Sequence, residues 1–109
     1  MKVLFLPEIR GYFKELAKIL YEKDYFGFEQ NAIEYAEDLF NDIKESLPNK
    51  QCKKAPEYFN QYGENMYYAT FKKNKNTQWH AFFNIMDDNG EIIYLVRYIS
   101  NNHVIARYL

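Results

Sequence analysis

The side chains of this sequence that could move a proton at neutral pH are two histidines, His80 and His103. Imidazole is the one group whose unperturbed titration falls between about pH 5 and 8. Around them stand tyrosines and cationic side chains able to orient an anion. Cys52 is the single cysteine, so the chain has no disulfide framework and no multi-cysteine metal site. A Gly-rich phosphate loop, a GxSxG elbow and a paired-histidine metal motif are all missing. The sequence therefore implies no cofactor and no metal. A lone histidine inside a strand is more often structural than catalytic, and that reading stands beside the catalytic one for His80.

The chain that must position these groups has 109 residues, the length of one domain spanning 1–109. A domain of this size buries roughly 60–70% of its unfolded surface and needs no metal or disulfide to fold. Hydrophobic residues make up 48%, which excludes a disordered chain. With 11 Tyr, 9 Phe and 1 Trp, there are enough aromatics for a core and for a surface that meets a partner. The opening run Met1–Pro7 is too short for a signal peptide, and no stretch approaches the ~20 apolar residues of a membrane helix. The expected address is the cytoplasm, without a membrane partner.

Net charge is −1, but it is unevenly spread. Residues 1–49 carry 6 basic and 10 acidic side chains, whereas residues 50–109 carry 8 basic and 5 acidic. An anionic partner would meet the second half, unless the asymmetry is ordinary solubilising charge.

Lys2 to Leu6 reads as a short strand, and Pro7 suits the first turn of a helix. Ile9, Tyr12, Phe13, Leu16, Ile19 and Leu20 recur at helical spacing, with Gly11 inside the run. Asp24–Gly27 breaks the pattern. Ala32, Ile33, Ala36, Leu39, Phe40, Ile43 and Leu47 then form a second stripe, closed by Pro48. Two helices on a short connector make an antiparallel hairpin.

Asn49–Gly63 reads as a loop, Lys-rich at Lys50, Lys53 and Lys54, with a helical turn at Pro56–Asn60. Alternation of period two marks strands at Met66–Lys73, Thr77–Met86 and Glu91–Ser100, joined by turn-like links that include Asn89-Gly90. The fold class is α+β: an N-terminal strand and a helical hairpin packed on an antiparallel β-meander.

The middle strand is apolar or aromatic on both faces, Trp79, Ala81, Phe83 and Ile85 against His80, Phe82, Asn84 and Met86. In the last strand the alternation sets Ile93, Leu95, Arg97 and Ile99 against Ile92, Tyr94, Val96 and Tyr98. The hairpin can cover one face. The other needs a partner, or the tail Asn101–Leu109 folded back across it.

The runs Trp79–Ile85, Ile93–Ile99 and Ser100–Leu109, in this order of elements, resemble the RelE/ParE superfamily of bacterial type II toxins. The resemblance spans nearly the whole chain as architecture and about the last forty residues as motif. It implies one of two activities: cleavage of messenger RNA in the ribosomal A site, or poisoning of DNA gyrase. Cleavage by such toxins is attack of a ribose 2′-hydroxyl on the adjacent phosphate, which calls for a base, cations around the phosphate and an acid for the leaving oxygen.

Carried over by position, His103 falls where some members place a general acid, Tyr108 near a C-terminal tyrosine that can stack on a base, and His80 where the middle strand usually bears arginine. These three are the candidate catalytic residues. Lys72 and Lys73, with Arg97 and Arg107, are the candidate nucleic-acid contacts. The resemblance also implies a cognate antitoxin as partner, laid across the sheet or the helices, with the ribosome and its mRNA, or alternatively gyrase, as target and a homodimer open. The leading expectation is a toxin that inhibits translation by ribosome-dependent mRNA cleavage. A non-catalytic binding module, either a gyrase poison or an inactive toxin relative, is the alternative, favoured by the missing arginine and the low pI.

Overall fold

The computed structural model describes residues 1–109. Its first strand, β1 (Lys2–Phe5), feeds directly into α1 (Pro7–Glu22), where Pro7 occupies a first-turn position whose N–H would have had no helical partner. Ile9, Phe13 and Leu16 bury one stripe of α1. Asp24, at φ 58°, ends the run in the left-handed region, within the Asp24–Gly27 segment read as the break between the helices. In α2 (Glu29–Ser46), Ala32, Ala36, Leu39 and Ile43 form the buried stripe, and a 3-10 turn at Leu47–Asn49 carries Pro48.

The sheet has five strands in the order β1-β5-β4-β3-β2. The meander is β3 (Tyr67–Lys72), β4 (Gln78–Asp88) and β5 (Glu91–Asn101), antiparallel throughout. β1 lies parallel to β5, with Val3 opposite Tyr94 and Phe5 opposite Val96. The β4–β5 turn is tighter than its four polar residues suggest: β4 runs to Asp88 and β5 starts at Glu91. Only Asn89 and Gly90 link them, both at positive φ, and the Asp87 carboxylate accepts from Gly90 N at 2.7 Å.

Two features depart from the sequence reading. The Lys-rich loop contributes a two-residue strand, β2 (Lys53–Lys54), paired with Tyr68 and Tyr67 of β3. The alternation in β5 does not run through the strand. Tyr98 is opposite Phe82 while Val96 is opposite Phe83, so Arg97 is an extra, unpaired residue. This bulge puts both Val96 and Ile99 in the core against the helices.

On the second face the structure takes the alternative of a tail folded back across it. A 3-10 helix at Glu57–Gln61 and the tail, which coils into α3 (Asn102–Ile105) and a last turn at Ala106–Tyr108, fold over it. Phe59, Met66, Phe82 and Ile105 close into a small second core. The main core lies on the other face, where Phe5, Phe13, Leu39, Ile43, Phe71, Trp79 and Phe83 join the helices to the sheet. Burying each such side chain contributes about 1.5–3 kcal/mol.

Candidate functional site

Where β2 runs along β3, the sheet edge and the preceding loop enclose a polar cleft of about 770 Å³. Local register builds it. Lys53 is opposite Tyr68, and Thr70 is opposite His80, so alternate residues of three strands present side chains to one face. Ala55 N donates to Met66 O at 2.9 Å and extends the pairing beyond β2. Lys50, Gln51 and Cys52 of the loop complete the rim, and Gln78 lines the side nearest the chain's tail.

His80 forms part of the cleft wall and is only 5% exposed. Its Nδ1 is hydrogen-bonded to Thr70 Oγ1 at 3.0 Å, and the Tyr68 ring meets the imidazole edge-on at 5.8 Å. Burial holds its pKa below the ordinary histidine range, because desolvation disfavours the imidazolium. The ring is therefore neutral at pH 7. Lys53, opposite Tyr68, is on the cleft face, whereas the Lys50 ammonium lies 4.8 Å from the ring centre of Phe71, a main-core residue on the helix-facing side of the sheet. Cleft and Lys53 together can receive an anion, and a neutral imidazole in the wall can accept a proton.

His103 belongs to the turn that clips the tail to the β3–β4 link. Asn101 Oδ1 accepts from Val104 N at 3.2 Å and caps α3. Asn102 Oδ1 accepts from Gln78 N at 2.9 Å, its amide donates to Asn76 O, and His103 Nε2 is bonded to Thr77 Oγ1 at 3.3 Å. His103 is exposed, one residue along the tail from Asn102, whose partner Gln78 lines the cleft.

Tyr108 lies elsewhere, stacked flat on Tyr58 with ring centres 3.7 Å apart and the Arg107 guanidinium 4.8 Å from its own ring. A second stacked pair, Tyr62 on Tyr98, is also at 3.7 Å. No hydrogen bond or ring contact joins His80, His103 and Tyr108 to one another.

The candidate nucleic-acid contacts are dispersed. Lys72 is exposed opposite Gln78, on the cleft side of β3. Lys73 turns the other way and places its ammonium over the Tyr35 ring of α2 at 5.0 Å. Arg97, in the bulge, has its Nε buried without a hydrogen-bond partner, packed so closely on Gly63 that a Cβ there would sit 2.6 Å from Arg97 Cδ.

The sequence had marked Lys50 and Lys53 only as part of a basic loop, and Thr70 and Gln78 not as site residues. Their common feature, register across three strands, becomes visible only once Lys53–Lys54 is known to pair. No group of three His, Cys, Asp or Glu residues is placed to hold a metal ion, and no helix is long and apolar enough to cross a membrane. Comparison of the chain with protein-family models, with curated proteins and with solved structures finds no match.

Proposed function

We propose that the protein is the toxin component of a type II toxin–antitoxin pair and inhibits translation by metal-independent cleavage of ribosome-bound mRNA in the His80 cleft. The observation that carries this reading is the pairing of a buried, neutral imidazole with Lys53 around one polar cleft. It is supported by an element order, strand, helix hairpin, Lys-rich loop and meander, of the kind that the RelE/ParE resemblance implies.

In this reading a ribose enters the cleft with its 3′-phosphate beside Lys53. With Nδ1 donating to Thr70, the other ring nitrogen of His80 keeps its lone pair and takes the proton of the 2′-hydroxyl. The 2′-oxygen attacks phosphorus, the bond to the 5′-oxygen of the next nucleotide breaks, and a 2′,3′-cyclic phosphate remains. The leaving oxygen takes a proton from His103 of the tail turn. Lys53 offsets the charge that builds on the phosphoryl oxygens. Base removal costs typically 10²–10⁴-fold.

A second reading, a binding module without catalysis, is favoured by the burial of Arg97 Nε and by the separation of Tyr108 from the cleft. Primer extension on an mRNA translated in a bacterial extract distinguishes the two. New 5′ ends that require ribosomes and fade with His80→Gln are the result expected for the toxin. Growth arrest with intact RNA would set cleavage aside and direct the assay to gyrase supercoiling. Cleavage unchanged in His80→Gln and lost in His103→Ala would move the chemistry to the tail turn.

A further inference from the structure

On the side of the helical hairpin away from the cleft, α1 and α2 leave an apolar groove of about 620 Å³. Phe13 and Phe40, whose rings lie 5.2 Å apart, mark its level, and Ala17 and Ala36 make its floor shallow enough for another helix to come close. The two banks carry opposite charge. Arg10 and Lys14 stand exposed on α1, and Glu37 stands exposed on α2.

We propose that this groove is the interface of a homodimer, occupied by the same groove of a second copy. Consider a two-fold axis parallel to the helices and just above the groove. Rotation by 180° about it exchanges left and right, so α1 of one chain faces α2 of the other, at the same level. The basic bank then meets the acidic bank twice, once on each side of the axis. Because α1 and α2 are antiparallel within the chain, α1 is also antiparallel to the α2 it faces. The four helices form an all-antiparallel bundle with the alanine floors at its centre. The face is self-complementary in charge, as an isologous interface requires. A partner with one sign of charge would match one bank and repel the other.

Sedimentation equilibrium of the full chain tests this, because each bank can be inverted with exposed residues that do not hold the fold. The wild type is expected at twice 13.2 kDa, with dissociation favoured by salt. Arg10→Glu with Lys14→Glu makes both banks acidic, and Glu37→Lys makes both basic. Each should weaken self-association by about a hundredfold, as attractive pairs on both sides of the axis become repulsive. A one-to-one mixture of these two variants should form a heterodimer, and the triple variant should dimerise again. Rescue of this kind cannot come from damage to folding. A wild type that stays monomeric would overturn the proposal, as would a dimer indifferent to all three variants, which would point to another face such as the β1 edge. Capture of a heterologous helix in place of the second copy would overturn it too.

Discussion

On the side of the sheet that faces the helices, fifteen buried apolar residues form one continuous core, whereas on the opposite side only four do. The same strands build both. β4 places Trp79, Ala81 and Phe83 on the first side, and His80 and Phe82 on the second. The first side is covered by two long helices whose stripes match it, so every position can be large and apolar. The second is covered by short pieces, a 3-10 helix and the tail, which reach Phe82 but leave His80 against a cleft. Incomplete cover is what leaves a titratable group in the wall of an open cleft on the second side. It teaches that an aromatic-rich strand can be structural on one face and available for chemistry on the other.

The largest effect should come from the first side. Phe83→Ala removes a fully buried ring from the main core and should cost about 3–5 kcal/mol, read as a shift in urea midpoint. That is a large fraction of the 5–15 kcal/mol typical of a whole domain. Ile105→Ala strikes the second side, where it should cost about 2–4 kcal/mol. Hydrogen exchange then sharpens the comparison: faster exchange confined to the tail and residues 57–61 means that the second core opens by itself. Faster exchange in β3–β5 as well would break the comparison and make both cores one cooperative unit.

Gly63→Ala should cost about 1–3 kcal/mol by driving a methyl group into the Arg97 side chain. Pairing it with Arg97→Ala should relieve most of that loss in a double-mutant cycle. Near-additive losses would show that the Arg97 packing is not the cause.

The smallest effect is a pH dependence. The folded state depresses the pKa of His80 by burial, so the unfolded chain binds the proton first as pH falls. The contribution to stability is fully present above the unfolded value of about 6.5 and is lost as pH drops through the folded pKa. His80→Gln should flatten the wild-type decline in thermal midpoint over that window. Equal slopes in the two proteins would mean that the decline comes from other groups.

The helical hairpin and the meander were legible because their signals are periodic. The stripe through Leu39 and Ile43 repeats at helical spacing, and Asn89-Gly90 marks its turn by residue type alone. What escaped the sequence depends on contacts between distant segments. Lys53–Lys54 becomes a strand because β3 offers it a partner, although lysine has little preference for strands. The bulge at Arg97 has no local signature, and one extra residue there changes which side chains face the helices. The tail could be read as a possible cover for the second face, but not that Ile105 would be the anchor. As for the site, His80 was visible as a titratable residue. Its cleft was not, since that depends on the pairing of the lysine-rich segment.

The parallel pairing of β1 with β5 has a consequence for how the molecule is made. Residues 2–5 leave the ribosome some ninety residues ahead of their partners at 93–96. Until then β1 is an unpaired edge and the helical hairpin has no sheet to cover. Closing a loop of some ninety residues has to precede the contacts that reward it. The last strand to emerge is also the one that sits between β1 and β4, so the sheet cannot be assembled by simple addition from the N-terminus. Nascent chains truncated before residue 93 should thus lack the strand that joins β1 to β4.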